Sequence, residues 1–417
     1  MTGHRPTCWR EVRWVLALAV PLVAAASTGF AQSSQCDPDE TQPSGAVTRI
    51  CMPAAVPWNG DLVVFAHGYV SPTAGAPAIP EDQLTLPDGT SLPGIVNGLG
   101  FAFATTSYSK NGLAIVEGVR DVREVVDVFT TSQRAPDHVY LVGASEGGIV
   151  TALAVEQAPE VFSGGLAACG PVGDFRRQIN YWGDFRVLFD YYFPHMLPGT
   201  AVNVPPEVLA RWDSYYVPLI SAAVASRPAA LDALLRVSRA PFDPADAKTK
   251  VETVIGLLWY NAFATRDGIA TLGGQPFDNS TRFYTGSGND FLLNLRVKRY
   301  RADLRALQAI EADYQTSGRL ARPLVTLHTT GDPIIPYWHE PRYALKALVA
   351  GSGLLHANLP VFRYGHCRFD AAQALIGFGL LVLEVQFQEL LNTEGAVTAA
   401  SVEQRYPTLA WTDRPTH

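Results

Sequence analysis

Residues 139–157 read VYLVGASEGGIVTALAVEQ: an apolar run, a serine between glycines, and a second apolar run. The first five residues are rich in β-branched and aromatic side chains, which predicts a buried strand, and residues 146–157 predict a helix that Pro159 ends. Between them, residues 143–147 (GASEG) fit the pattern G-x-S-x-G. At a sharp strand-to-helix turn this pattern exposes a serine hydroxyl at the edge of a sheet. We therefore predict that Ser145 is a nucleophile.

Strands and helices alternate on both sides of this turn. Strands are predicted at residues 47–52, 61–66, 101–107, 164–168, 323–329 and 359–364, and helices at residues 111–133, 339–350 and 368–391. Such alternation indicates an α/β fold, with a mostly parallel sheet and helices on both of its faces.

A long insertion interrupts the alternation. Residues 172–318 are rich in aromatic residues and proline, and helices are predicted within them at 206–224, 228–238 and 250–263. We expect the core to consist of residues 32–171 and 319–417, with 172–318 inserted between two strands of one sheet.

A nucleophilic serine needs a base, and the base needs an orienting carboxylate, in the order acid and then histidine after this kind of serine. Asp332 follows the strand at 323–329, and His366 follows the strand at 359–364. We predict that Asp332 is the acid and His366 the base. The alternative for Asp332 is an ordinary turn residue before proline. His356 is predicted to precede its strand and His339 to lie in a helix, which makes both weaker candidates for the base.

The segment His67-Gly68-Tyr69 follows the predicted strand at 61–66. A His-Gly pair at such a place commonly shapes an oxyanion hole through the backbone N–H of the next residue. We predict that the N–H groups of Tyr69 and Glu146 form this hole. The alternative is that His67 only packs the loop.

Taken together, the motifs G-A-S-E-G, T-G-D-P, G-H-C and H-G resemble those of the α/β-hydrolase superfamily. The resemblance covers residues 46–171 and 319–391, and the insertion at 172–318 is similar to the cap that this family carries at that place. It implies a Ser–His–Asp hydrolase that forms an acyl-enzyme on Ser145. It does not identify the substrate, because one fold hosts many reactions.

Two kinds of hydrolase fit the motifs. The first is a secreted carboxylic-ester hydrolase, with Tyr181, Trp182 and Phe185 of the insertion binding a small-molecule or polymer ester. The second is a serine peptidase or aminopeptidase of the same fold, with Glu146 or Asp184 anchoring a charged terminus. A non-catalytic binding module is the third alternative, and the complete triad order argues against it.

Composition, charge and motifs argue against several classes of partner. The net charge of −7 argues against a nucleic-acid partner, which usually binds a basic patch. No H-E-x-x-H, P-loop or dinucleotide-binding motif occurs, and no Cys/His spacing suggests zinc, so neither a metal nor a cofactor is expected. The apolar C-terminal run at 371–387 contains three polar residues and is predicted to be a core helix, so no stable membrane anchor is expected. The oligomeric state stays open.

The N-terminus predicts export. Arg10 and Arg13 precede a short apolar run that ends in small residues, which is typical of a signal peptide at residues 1–31. We therefore expect a secreted or periplasmic protein, where cysteines tend to pair. We predict a bridge between Cys36 and Cys51. Cys169 and Cys367 follow strands that end at the same sheet edge, and they form either a second bridge or two free thiols.

Overall fold

The computed structural model describes residues 34–86 and 88–394, so the predicted signal peptide at 1–31 lies outside the described residues. Within the described part of the chain, one sheet is formed by nine strands: β1 (Ser34–Cys36), β2 (Glu40–Thr41), β3 (Val47–Pro53), β4 (Leu62–Ala66), β5 (Ala102–Thr106), β6 (Val139–Ala144), β7 (Gly164–Ala168), β8 (Leu324–Gly331) and β9 (His356–Tyr364).

The strand order is β1-β3-β5-β4-β6-β7-β8-β9, with β2 paired to β3 at the edge. Strands β4 to β9 pair in parallel with one another. Strand β3 pairs antiparallel with β1, β2 and β5. The topological switch point lies between β4 and β6, because the chain continues from β4 to β5 on one side and from β6 to β7 on the other. The carboxyl ends of parallel strands at such a point are where open α/β sheets bind ligands.

The helices are α1 (Leu92–Gly98), α2 (Ile115–Ser132), α3 (Glu146–Gln157), α4 (Phe175–Tyr192), α5 (Pro206–Ala210), α6 (Val217–Ser226), α7 (Pro228–Ser238), α8 (Lys248–Leu272), α9 (Asp290–Arg296), α10 (Leu304–Ala309), α11 (His339–Val349) and α12 (Ala371–Glu394). One face of the sheet packs against α2, α3 and α11, and the other against α1 and α12. This architecture confirms the predicted fold class.

The helices α4 to α10 lie between β7 and β8 and have an apolar core of their own. Phe185, Phe189, Leu234 and Leu257 are fully buried in it. This second core also includes Ile334, which belongs to the loop after β8. The inserted helices therefore pack directly on the loop that carries Asp332.

The structure differs from the predicted elements at several boundaries. Helix α8 was expected to end at 263 but continues to Leu272, where Gly273 ends it in the left-handed conformation at φ +68°. Strand β9 begins at His356, so the expectation that His356 precedes its strand is wrong. The short strands β1 and β2 precede the first predicted strand, and pairing with β3 and the Cys36–Cys51 bridge hold them at the edge of the sheet.

Helix α12 is long and apolar enough, by length and composition, to cross a membrane. Four of its side chains, Leu375, Phe378, Leu381 and Val385, are buried against the sheet. Ile376 and Leu390 on the same helix are about half exposed, at 52% and 51%. The helix thus covers the sheet with one face and leaves apolar side chains on the other.

Candidate active site

Ser145 lies at the turn between β6 and α3, with φ +58° and ψ −117°. A non-glycine residue at positive φ is strained, and strain of this kind is tolerated where the surrounding structure holds it. Two glycines provide the necessary space: a Cβ on Gly143 would collide with the carbonyl oxygen of Gly147, and a Cβ on Gly147 with that of Ala66. The glycines of the G-x-S-x-G pattern are therefore required for the turn that exposes the hydroxyl.

Ser145, His366 and Asp332 meet at the carboxyl edge of the sheet. His366 Nε2 lies 2.9 Å from Ser145 Oγ, and His366 Nδ1 lies 2.7 Å from Asp332 Oδ2. The carboxylate accepts the Nδ1 proton, which leaves Nε2 free to accept the hydroxyl proton of Ser145. This is the geometry in which a serine can become a nucleophile.

The carboxyl group of Asp332 is fully buried and held at both oxygens. Oδ1 accepts hydrogen bonds from the backbone N–H groups of Ile334 at 2.8 Å and Ile335 at 3.0 Å, while Oδ2 faces His366. Burial acts to raise the pKa of Asp332, but the charge of His366 and the hydrogen bonds from His328 and His366 outweigh burial and hold the pKa well below its usual range. Asp332 is therefore ionised.

His328 on β8 is a neighbour of Asp332 that the sequence analysis did not identify. Its Nδ1 lies 2.8 Å from Glu340 Oε1 and its Nε2 lies 2.8 Å from the Ile335 carbonyl oxygen, with Asp332 Oδ2 at 3.5 Å. Every one of these partners is an acceptor, so both ring nitrogens must donate. Burial acts to lower the pKa of His328, but Asp332 and Glu340 together raise it to about 10. A buried imidazolium thus lies between two carboxylates.

Replacing His328 with glutamine should lower the free energy of unfolding by about 3–5 kcal/mol at pH 7, because it leaves buried carboxylates without their cation. The raised pKa of His328 fixes the pH dependence: the unfolded chain releases this proton near pH 6.5, and the folded protein keeps it until about pH 10. The stabilisation is therefore complete below pH 6.5 and is lost between pH 6.5 and 10. Urea unfolding of both proteins should show the stability gap narrowing as the pH rises from 7 to 10.

His339→Gln is the matched control for this experiment. His339 is also fully buried, but its Nδ1 accepts the N–H of Gly173 at 3.0 Å and its Nε2 faces Gln178 Oε1 at 2.8 Å. Burial and the positive charge of His328 lower the pKa of His339 well below its usual value, so this ring is neutral from pH 7 upward. Its stability gap should stay constant from pH 7 to 10. A gap for His328→Gln that also stays constant would contradict a charged His328.

Tyr69 and Glu146 flank the hydroxyl of Ser145, and all three line one cavity. Gly68 approaches closely: a Cβ there would lie 3.2 Å from Ser145 Cβ and 3.1 Å from Gln83 Oε1. Gln83 accepts the Gly68 N–H at 2.6 Å and so ties the loop down. The Glu146 N–H is at the first turn of α3, where helix geometry leaves N–H groups without an intrahelical acceptor. The oxyanion hole formed by the N–H groups of Tyr69 and Glu146 stays a prediction.

The carboxyl group of Glu146 is occupied elsewhere. Its Oε1 accepts the backbone N–H of Ala114 at 2.6 Å, and the side chain is buried. Burial raises its pKa to about 8, against the opposing effect of the Ala114 hydrogen bond. At pH 7 this group is therefore mostly a neutral acid.

The cavity beside Ser145 has a volume of about 50 Å³ and is mostly apolar, with Leu113, Ile179, Trp182 and Tyr260 among its lining residues. Of the three residues predicted to bind substrate, Tyr181 is not among the lining residues, and Trp182 lines the cavity. Phe185 does not: its ring is fully buried in the core of the inserted helices, because the next turn of α4 points into that core. The expectation for Phe185 is therefore corrected.

Tyr181 and Trp182 also have a structural role that the sequence did not indicate. The Tyr181 hydroxyl donates to the Pro333 carbonyl at 2.8 Å, and Trp182 Nε1 donates to the Ile334 carbonyl at 3.0 Å. Gln178 Nε2 donates to the same Ile334 carbonyl at 2.9 Å. One helix of the insertion thus holds the backbone that positions Asp332.

A second, larger opening of about 600 Å³ lies on the other side of His366. In contrast to the cavity beside Ser145, its lining mixes polar and apolar residues and includes both acidic and basic side chains, namely Asp88, Glu252, Arg363 and Arg368. The two sides of the triad therefore differ in chemistry: one is narrow and apolar, and the other is wide and charged.

Both pairs of cysteines form disulfides in the structure, Cys36–Cys51 and Cys169–Cys367. The second pair joins the end of β7 to the residue after His366, over a sequence separation of 198. Its Cα atoms are 5.5 Å apart, and both residues have positive φ, +46° and +51°. The bridge therefore holds the His366 loop against the neighbouring strand. Two disulfides indicate an oxidising environment.

Removing the two disulfides separately should give different results. The double variant Cys169→Ala/Cys367→Ala should lower kcat by about 10- to 100-fold, because a small displacement of His366 is sufficient for such a loss. The control is Cys36→Ala/Cys51→Ala, which removes a short loop closure worth roughly 3 kcal/mol of stability in the chain-entropy model and should leave kcat unchanged. Steady-state kinetics and thermal unfolding separate the two effects. Equal kcat in both double variants would show that packing alone holds the His366 loop.

Comparison with known proteins gives a partial family match and distant structural likenesses. The model of the prolyl oligopeptidase family matches residues 94–183. No curated protein sequence matches the chain.

Among solved structures, the chain is similar to the acylaminoacyl peptidase of Pyrococcus horikoshii, at 12% identity and a TM-score of 0.40, over 86% of this chain and 41% of that one. It thus spans less than half the length of that peptidase. It is also similar to an esterase of Pyrococcus furiosus (10% identity, TM-score 0.39, 87% of this chain and 92% of that one). A third likeness is to the rice cell wall degrading esterase LipA of Xanthomonas oryzae (12% identity, TM-score 0.39, 85% and 89%). At these identities and scores the likenesses bear on neither activity nor substrate.

Proposed function

From the premise that the chain is a serine hydrolase of the α/β-hydrolase type, we propose that it cleaves carboxylic esters through an acyl-enzyme on Ser145. The observation that carries the proposal is the hydrogen-bonded row of Ser145, His366 and Asp332 at the mouth of a small apolar cavity. His366 is the general base, and Asp332 is the orienting acid.

The proposed reaction has two halves. In the first, Ser145 Oγ attacks the ester carbonyl carbon while His366 Nε2 takes its proton, and the N–H groups of Tyr69 and Glu146 receive the negative charge on the carbonyl oxygen. The C–O bond to the alcohol then breaks, and Nε2 returns the proton to the leaving alkoxide oxygen. In the second, His366 Nε2 takes a proton from water while the water oxygen attacks the carbonyl carbon of the acyl-enzyme. The bond between that carbon and Ser145 Oγ then breaks, Nε2 returns the proton to Oγ, and the carboxylic acid is released.

The surroundings of the triad support an ester with two unlike halves. The cavity beside Ser145 suits an apolar acyl group, because burying apolar surface there is favourable and few polar groups need a partner. The wide, charged opening beside His366 suits a polar alcohol, which includes the hydroxyl-bearing part of a polymer. We therefore propose an apolar acyl group on a polar alcohol as the substrate class.

A serine peptidase is the second candidate, and the prolyl oligopeptidase family match over residues 94–183 favours it. An aminopeptidase needs an ionised carboxylate for the substrate ammonium group. Glu146 is bound to Ala114 and has a raised pKa near 8. Asp184 accepts the Tyr284 hydroxyl at 2.6 Å and pairs with Arg282 at 3.0 Å within the inserted helices. Since both acidic anchors are engaged, we favour the esterase.

Three substrates with one chromophore test this choice: p-nitrophenyl butyrate, p-nitrobutyranilide and leucine p-nitroanilide. The first two share their acyl group and differ only in the ester or amide bond, and the third adds a free ammonium group. An esterase should cleave p-nitrophenyl butyrate and should cleave both anilides far more slowly. A kcat/KM for leucine p-nitroanilide well above that for p-nitrobutyranilide would instead support an aminopeptidase with an anchor for the amine.

We also propose that the protein acts outside the cytoplasm, secreted or periplasmic, without nucleic acid, metal or cofactor as a partner. The support for export is the pair of disulfides together with the N-terminal sequence pattern. The support for the expected partners is the net charge of −7 and the sequence motifs.

A further inference from the structure

Gly268 in α8 is buried, yet a Cβ added to it would meet no other heavy atom within 4 Å. Glycine destabilises the interior of a helix relative to alanine. Close packing usually explains a buried helical glycine, as at Gly183, where a Cβ would collide with the ring of Phe277. At Gly268 nothing occupies the space, so its missing side chain leaves a void.

That void belongs to two cavities. The first is the apolar cavity beside Ser145, and the second, also about 50 Å³, lies deeper among the inserted helices. The two share a wall, because the same five residues line both: Ile179, Trp182, Tyr260, Ala264 and Gly268.

The shared wall is thin along one face of α8. Tyr260, Ala264 and Gly268 are spaced four residues apart, so they form a row about 12 Å long along the helix. The side chains in this row shrink from a phenol ring to a methyl group to a hydrogen. Trp182 stacks on Tyr260 with ring centroids 5.1 Å apart, so the two aromatic rings form the bulky part of the wall.

Three polar residues line the second cavity, but their hydrogen-bond donors already have acceptors. Asn261 Nδ2 donates to the Ala201 carbonyl at 2.9 Å, Gln275 Nε2 donates to the Phe277 carbonyl at 2.9 Å, and the Thr265 hydroxyl donates to the Asn261 carbonyl. Since these donors already have acceptors, an apolar group that enters does not take their hydrogen bonds.

We propose that the two cavities form one acyl channel, in which the chain of a medium-length linear acyl ester passes from Ser145 beside the Trp182–Tyr260 pair and over Gly268 into the second cavity. Gly268 sets the acyl length, because any side chain there projects into the passage. This inference rests on the proposed esterase function and names its substrate class.

The test is the series of p-nitrophenyl esters from acetate and butyrate through hexanoate to octanoate and decanoate, with the full chain. Gly268→Leu should lower the ratio of kcat/KM for octanoate to kcat/KM for butyrate by about 30-fold or more relative to wild type. Gly268→Ala should shift the preference in the same direction by a smaller factor and fold at least as stably. Gly379→Leu is the matched control, since a Cβ there also meets nothing within 4 Å but lies on α12, and its chain-length profile should equal that of wild type.

The ester series tests the channel and the esterase function separately. If wild type cleaves butyrate but not octanoate, or if both Gly268 variants keep the wild-type ratio of octanoate to butyrate, the channel is wrong while the esterase stands. If wild type cleaves no ester of the series, the proposed function itself fails.

Discussion

Replacing Ser145 with alanine should reduce kcat for p-nitrophenyl butyrate by roughly 10⁴- to 10⁶-fold. The physical reason is that the hydroxyl is the group placed 2.9 Å from His366 Nε2, at a turn whose two flanking glycines admit no side chain. Alanine keeps the backbone of the turn and removes only the oxygen. The loss should therefore appear in kcat, and thermal unfolding should show a protein at least as stable as wild type because the substitution leaves the packing intact.

The double variant Ser145→Ala/His366→Ala should be hardly less active than Ser145→Ala alone, because the members of a triad act as a unit. Ser287→Ala is the matched control, since Ser287 also lies between two glycines but its hydroxyl donates to Asp290 on the inserted helices. That variant should keep the wild-type rate. Retention of a tenth of the wild-type activity by Ser145→Ala would show that another nucleophile is at work.

Replacing Asp332 with asparagine should reduce kcat by about 10⁴-fold, although the two side chains have the same shape. Oδ1 of Asp332 accepts two backbone N–H groups, from Ile334 and Ile335, so the amide oxygen of asparagine must take that position. The amide NH₂ then faces His366 Nδ1, which can only accept from it. The proton of His366 moves to Nε2, and that nitrogen can no longer take the proton of Ser145.

Asp370→Asn is the control for the charge change. Asp370 follows His366 by four residues. Its Oδ1 accepts the N–H of Gln373 at 2.9 Å, which an asparagine oxygen can also do, and its ion pair with Arg363 is exposed. Its kcat should remain close to that of wild type. A kcat for Asp332→Asn within tenfold of wild type would mean that this carboxylate does not determine the tautomer of His366.

Features that depend on a short stretch of the chain were predictable from the sequence. The turn at Ser145 was predictable because its determinants, an apolar strand, two glycines and an apolar helix, are all within about twenty consecutive residues. The same holds for the positions of Asp332, which directly follows a strand, and of His366, which comes two residues after one. The alternation of strands and helices was predictable for the same reason, because the apolar composition of a buried strand and the hydrophobic period of a helix both appear within a short stretch of sequence.

Features that depend on contacts between distant segments were not predictable. The aromatic residues of 181–185 look alike in the sequence, but Trp182 lines the cavity whereas Phe185 is buried in the inserted core. The charge on His328 comes from Glu340 and Asp332 acting together inside the protein. Neither a helical phase nor a residue type reveals such neighbours, because burial and pKa depend on everything packed around a group.

The sequence by itself determined the fold class, the strand-to-helix turn at Ser145 and the chain order of Ser145, Asp332 and His366, because each of these depends on local backbone preferences and on chain order. The tertiary structure alone decided that His366 reaches Ser145 across 221 positions, that the insertion holds the loop of Asp332, and that Gly268 faces an empty space. The physical reason is that distances across a fold are set by the close packing of many side chains at once, so no single segment of the chain contains them.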